Sequence, residues 1–159
     1  MKKLFKKVIV SILQWEAKII LRHYKPEIIA VTGNVGKTSA KDAIFEVLKS
    51  GGRVRKSEKS YNSEIGVPLT VIGKENAWYS FFGWFDIIRS GFLLIFFHKK
   101  EYPKILVLEA GADRPGDIEQ FVRIAPPRIA VVTAIGEIPV HVEFFSGPEL
   151  VAHEKAKLL

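Results

Sequence analysis

The stretch Ile28-Ile29-Ala30-Val31-Thr32-Gly33-Asn34-Val35-Gly36-Lys37-Thr38-Ser39-Ala40 runs from β-branched apolar residues through a glycine-bearing turn into residues at helical spacing. A buried parallel strand reads as such a short apolar run. Apolar Ala40, Ala43, Ile44, Val47 and Leu48 then fall on one helical face, and Gly51-Gly52 ends the helix. A strand that turns tightly into a helix turns backbone N–H groups toward one point and adds the helix dipole there, which suits phosphate. Residues Thr32, Gly33, Asn34, Val35, Gly36, Lys37, Thr38 and Ser39 are therefore the candidate nucleotide-binding loop. In it Lys37 reaches the terminal phosphates and the Thr38 hydroxyl ligates magnesium, so ATP with Mg2+ is the expected cofactor pair. The general P-loop pattern places a further glycine where Val31 stands, so this is a tighter Thr-Gly-x-x-Gly-Lys-Thr form, which argues against a P-loop kinase. The bland alternative is an ordinary turn containing Gly-Lys-Thr; strand, loop and helix in the required order favour the phosphate reading.

Working outward, Lys104-Ile105-Leu106-Val107-Leu108-Glu109 and Arg128-Ile129-Ala130-Val131-Val132-Thr133 are two further core strands. Pro115 precedes a helix from Gly116 to Ile124, and a closing helix starts near Glu149. Strands separated by helices predict an α/β fold: a parallel sheet with helices on both faces. Residues 26–159 form this domain, and residues 1–25 a basic amphipathic helix before it. The closing helix reaches Leu158-Leu159 without a stop signal, so the sheet is expected to continue past this stretch, which is not expected to complete a reaction by itself.

The composition fits a globular chain: 48% hydrophobic residues in 159, with no cysteine, which excludes disulfides, thiolate metal sites and cysteine nucleophiles. The formal charge is +7, concentrated at Lys2, Lys3, Lys6 and Lys7, at Arg53-Val54-Arg55-Lys56 and at His98-Lys99-Lys100. Such a balance suits anionic partners; no base-reading motif accompanies it, so nucleic acid is not expected. The N-terminal stretch lacks the small residues of a signal-peptide cleavage site. Trp78 to Phe97 has roughly the length of a membrane span. Asp86 and Arg89 in its middle predict instead a helix packed on the sheet, in contact at most with an anionic membrane surface.

Glu109 ends its strand where open α/β sheets place their ligands, so it is a candidate magnesium ligand opposite Thr38. His141, Glu143 and Lys157 follow the third core strand, and by themselves read as surface or structural residues. In Tyr61-Asn62-Ser63-Glu64-Ile65-Gly66-Val67-Pro68 the glycine and proline indicate only a backbone turn.

Taken together, Thr32 to Ser39, Asn62 to Thr70, Leu108 to Ile118 and Val132 to Gly136 resemble the central ATP-binding domain of the Mur ligases. The resemblance runs from about Ile28 to the end. It is nearest the type that adds D-alanyl-D-alanine to a UDP-muramoyl-tripeptide; folylpolyglutamate and cyanophycin ligases are the nearer rivals, and a non-catalytic, membrane-associated nucleotide module the more distant one. It implies an ATP-dependent carboxylate–amine ligase of peptidoglycan precursor synthesis, cytoplasmic, acting through an acyl phosphate. Its partners would be a UDP-muramoyl-peptide-like carboxylate and an amino acid or dipeptide amine. By the same resemblance Lys37 and the loop hold the phosphates, Thr38 and Glu109 one magnesium, and His141 a second. Asn62 then lies near phosphate and substrate, and Lys157 matches a lysine that several members carry carbamylated. The family's Asn-His after Gly-Ala is here Asp113-Arg114.

Overall fold

A computed structural model describes residues 3–58, 63–97, 99–135 and 147–159. The sheet is built of β1 (Glu27–Thr32), β2 (Val54–Lys56), β3 (Ile105–Glu109) and β4 (Ile129–Val132) in the order β2-β3-β1-β4. All pairings are parallel, and Val31 sits opposite Glu109 while Thr32 sits opposite Val132. The central strand shows why both faces need cover. Ile28 and Ala30 join one apolar cluster, Ile29 and Val31 the other, as a two-residue side-chain period requires.

One face carries α2 (Lys37–Leu48), whose Ala40, Ile44 and Leu48 cover Ile29, Val31 and Val107. The other carries the larger core, with α1 (Lys3–Tyr24), α3 (Ser63–Ile72), α4 (Phe81–Phe96) and α5 (Asp117–Ile124). The expected parallel sheet with helices on both faces is the observed one. The closing α6 (Pro148–Ala156) opens on Pro148, where a missing N–H costs nothing, and packs beside α5.

Two local expectations are corrected, and one strand was not foreseen. The basic run 53–56 contains an edge strand, β2, because Val54, Arg55 and Lys56 pair with β3; the Arg55 guanidinium turns inward and donates to Thr70 O at 2.9 Å and Val71 O at 2.8 Å. The segment read as a turn is the helix α3. Pro68 lies inside it and removes the N–H that would bond Glu64; Gln14 Nε2 of α1 donates to that freed carbonyl at 3.3 Å. The aromatic helix α4 packs on α1 and α3 rather than on the sheet. Among the described helices none is long and apolar enough to cross a membrane.

The α1–α4 contact has an unusual centre. Leu13, Ala17 and Ile20 of α1 are fully buried, and so is Glu16 between them. Gly91 of α4 makes room for it: a Cβ there would stand 2.3 Å from Glu16 Oε2. Neither Glu16 oxygen has a hydrogen-bond partner among the described residues. Desolvation pushes this carboxyl up to about 8.

Candidate functional site

The phosphate loop occupies the carboxyl end of β1. Gly36 caps α2 in the left-handed region, φ 84°, a conformation glycine reaches without a Cβ penalty. Gly33, φ 145°, lies against Thr133 so closely that a Cβ would fall 1.9 Å from Thr133 Oγ1. Thr133 Oγ1 is itself fixed, bonding Val35 O at 2.7 Å and Thr32 O at 3.1 Å. The N–H groups of Asn34 and Val35 are spent on Ala134 O. Those of Lys37, Thr38 and Ser39 open α2 and have no carbonyl one turn earlier in the helix to receive them. The anion-binding capacity of the loop therefore sits at its helical end. The Lys37 ammonium lies over the loop, held by Gly33 O at 3.0 Å and Asn34 O at 3.4 Å. The Asn34 side-chain amide is buried with no partner among the described residues.

The side chains of Thr32, Val35 and Ser39 point elsewhere in the loop's surroundings than its backbone N–H groups do. Thr32 is buried and its hydroxyl donates to Ala110 O at 2.9 Å, tying the ends of β1 and β3 together. Val35 is exposed at the loop tip, and Ser39 is exposed on the first turn of α2. Gly33→Ala is expected to cost about 2 kcal/mol from the forced left-handed backbone and the clash. Thermal denaturation measures the loss; a double-mutant cycle with Thr133→Ala should show the two positions coupled.

Beside the loop, Glu109 ends β3 and turns its carboxylate toward α2. Thr38 Oγ1 donates to Glu109 Oε2 at 3.0 Å. Lys41, one turn after Lys37 on the same helix face, brings Nζ to 3.8 Å from that oxygen. Lys41 is 1% exposed, and its ammonium donates to Ser57 O at 2.7 Å. Ser57 completes the frame: its Oγ accepts the Glu109 N–H at 3.0 Å, while its own N–H bonds Val107 O. A buried carboxylate needs a compensating charge, and Lys41 supplies it from the floor of the site. Reading the sequence for apolar periodicity passes over Lys41 and Ser57. The available signal for Lys41 was a cation on the buried, Lys37-side face of α2. Lys41→Met keeps the volume but strands Glu109 and Ser57 O. It is expected to cost about 3 kcal/mol in chemical denaturation.

The opposite wall comes from α5 and α6. Asp117 Oδ2 accepts the N–H groups of Asp113 and Arg114, at 3.0 and 2.8 Å, closing the loop after β3. The buried Glu154 of α6 accepts from Gly116 N at 2.9 Å and Ile118 N at 3.1 Å, so it caps α5 at the positive end of its dipole. Its neighbour Lys155 is 3% exposed and feels both the Lys37 and the Asp113 charges. Burial first, then Lys37, lowers its pKa, against the opposing pull of Asp113 and Glu154. The structure does not bring Lys157 to the loop in this way. That ammonium is exposed and ion-paired with Glu154 Oε2 at 2.7 Å, which raises its pKa. Of the two lysines, Lys155 is the buried one and the one that feels the Lys37 charge, a difference that two lysines a residue apart do not show in the linear sequence.

The structure thus brings Thr38 and Glu109 together, beside the loop whose carbonyls hold the Lys37 ammonium. His141, Glu143 and Asn62 lie outside the described residues. Among those described, no group of three or more His, Cys, Asp or Glu side chains gathers to hold a metal.

Residues 90–159 match the Mur ligase middle domain. The chain is 33% identical over 147 residues to the UDP-N-acetylmuramoyl-tripeptide–D-alanyl-D-alanine ligase of Bacillus subtilis, covering 92% of this chain and 26% of that enzyme. It is 35% identical over 131 residues to the enzyme of the same name from Mycobacterium leprae, covering 82% of this chain and 20% of that one. Among solved structures it superposes on MurF ligase from Thermotoga maritima in complex with ADP, with a TM-score of 0.68, 31% identity and coverage of 94% of this chain and 29% of that one. The Acinetobacter baumannii MurF structure, at 21% identity and a TM-score of 0.69, shares the fold. The chain spans about a quarter of the length of these relatives.

Proposed function

Because the chain belongs to the Mur ligase family through that family's middle domain, we propose that it supplies the ATP-binding core of a carboxylate–amine ligase in peptidoglycan precursor synthesis. The observation that carries this reading is the convergence of Lys37, the opening N–H groups of α2 and the Thr38–Glu109 pair at the carboxyl end of a parallel sheet. In the reaction, a carboxylate oxygen of the acceptor attacks the γ-phosphorus of ATP and ADP leaves. The amine then attacks the acyl carbon of the acyl phosphate, inorganic phosphate leaves, and the amine gives up a proton as the amide forms. Both partners of the first step are anions, so cations must offset their repulsion. Lys37 and the N-terminus of α2 bind and orient the phosphates.

The oxygen donors of Thr38 and Glu109 fit Mg2+, which accepts one or two protein ligands and completes its shell with phosphate and water. Bound there, the ion would neutralise charge on the β- and γ-phosphates; His141 is the proposed ligand of a second ion. Lys41 holds Glu109 in place and balances its charge. The carbamylation that the family resemblance attaches to a lysine of this region suits Lys155 better than Lys157. The neutral amine is the form that adds to carbon dioxide; burial dominates at Lys155 and favours that form, whereas at Lys157 the hydrogen bond to Glu154 outweighs it and favours the ammonium. Intact-mass and peptide mass spectrometry should find any carbamate on Lys155; finding it on Lys157 would reverse the assignment.

The relatives' names suggest a UDP-muramoyl-tripeptide as the carboxylate and D-alanyl-D-alanine as the amine; the family resemblance implies a cytoplasmic reaction. Asp113-Arg114 stands where the family carries Asn-His, so other dipeptides and single amino acids belong in the substrate panel. The full protein should release ADP and phosphate only when carboxylate and amine are both present. ATP turnover indifferent to both would refute a ligase and favour a non-catalytic or unrelated nucleotide-binding role.

A further inference from the structure

On the side of the larger core, α1 and α4 turn a continuous apolar stripe outward. On α1 the residues Val8, Ile12, Trp15 and Ile19 share one helical face, with Val8 and Trp15 each 50% exposed. On α4 the exposed aromatics are Phe81, Phe82, Phe85, Phe92 and Phe96. The two helices meet at this surface, where the Trp15 and Phe92 rings lie 5.9 Å apart and Phe92 stacks parallel to Phe96 at 6.3 Å. Scattered exposed apolar residues are ordinary on a protein surface, but a contiguous aromatic stripe marks a contact.

The charge around the stripe identifies the contact. Helix α1 carries Lys3, Lys6, Lys7, Lys18 and Arg22 and a single acid, Glu16, which is buried away from the surface. Arg89 sits between Phe85 and Phe92 on the exposed face of α4, ion-paired there with Asp86 at 3.5 Å. Where α1 and α4 end together, the Tyr24 hydroxyl bonds Leu94 O and Phe97 O, and a basic cup opens beside it. Lys25, Arg53, Lys99, Lys100 and Lys104 line this cavity of about 510 Å³, with Glu27 the one acid. Aromatic residues with cations at their edge are the composition of an interfacial helix, apolar side chains at the acyl boundary and basic ones at the headgroup phosphates. A protein partner of comparable apolar character would not call for the basic residues of α1 and of the cup beside the stripe.

We propose that the α1–α4 face docks on an anionic phospholipid bilayer, the aromatic stripe lying in the interface and the basic cup receiving headgroup phosphate. This attachment is independent of the nucleotide site, which lies at the opposite, carboxyl end of the strands. It leaves the phosphate loop facing away from the end where the cup meets the lipid.

Co-sedimentation of the full protein with vesicles tests it. Binding is expected to vesicles of phosphatidylcholine with phosphatidylglycerol, to fall at high salt, and to be weak with phosphatidylcholine alone. The combined Phe82→Ser, Phe85→Ser and Phe96→Ser variant should bind at least about tenfold more weakly. Val47→Ser, an equally exposed valine on α2, should bind as the parent does. These side chains are largely outside the core, and circular dichroism and the melting temperature confirm that the variants fold. Tryptophan emission, with Trp15 and Trp78 exposed, should shift to the blue on anionic vesicles. No association at low salt, association indifferent to the Phe variants, or a soluble dimer formed through the stripe without vesicle binding would each overturn the proposal.

Discussion

Lys37→Met is expected to lower the rate of ADP release in the full ligation assay by about a thousandfold, an effect worth about 4 kcal/mol. The side chain of Met fills the same space, and the lost contacts are two carbonyls of the loop, Gly33 O and Asn34 O, which water can reach and bond. The fold should therefore survive, with a melting temperature close to that of the parent. What disappears is the only loop cation able to follow charge onto the transferring phosphoryl group. Lys41 cannot replace it, because its ammonium is committed to Ser57 O and to Glu109. A variant that keeps its rate would show that the loop's lysine plays no part in phosphoryl transfer.

The second large effect concerns stability. Glu16 titrates from an ordinary value of 4.5 in the unfolded chain to about 8 in the fold. The folded state prefers the protonated carboxyl, so the contribution of this group to stability is complete below about pH 4.5. It declines as pH rises, by at most about 1.4 kcal/mol per unit, and is gone above about pH 8. The accumulated loss is on the order of 4 kcal/mol by then. Glu16→Met removes the titration. Denaturant melts at pH 5 and pH 8 should show the parent losing several kcal/mol that the variant retains. Parallel pH profiles for the two proteins would mean that Glu16 finds a partner or water in solution.

The sheet was legible because its strands are uniform: Ile28 to Val31 and Ile105 to Leu108 are runs that a doubly covered parallel sheet buries, and Ile129 to Val132 repeats the pattern on a partly exposed edge strand. The loop was legible for the same local reason, since strand, glycines and helix are contiguous in sequence. The missed elements depend on distant contacts. Helix α3 contains Gly66 and Pro68, poor helix formers, and it forms because Gln14 of α1 accommodates the proline's orphaned carbonyl and Val67, Leu69 and Val71 enter the core. The short β2 is a strand only because β3 pairs with it.

In the site, the same division holds. Lys37, Thr38 and Glu109 stand at positions a linear pattern marks. Lys41, Ser57 and Lys155 matter through burial and through neighbours far away in the chain, and a lone lysine in a helix reads as a solvated charge until that burial is seen. Lys155 and Lys157 illustrate it. One is buried and feels the charges of Lys37 and Asp113, while the other is exposed and ion-paired with Glu154, a difference set by where each falls at the end of α6.

Calorimetric titration of ATP, with magnesium, into the full protein and its Lys37→Met variant tests the phosphate loop most directly. One nucleotide should bind per chain, the affinity should drop at least about tenfold in the variant, and chelating magnesium should weaken the parent's binding. Equal affinity in parent and variant, or no nucleotide binding by the folded parent, would contradict the assignment of this loop.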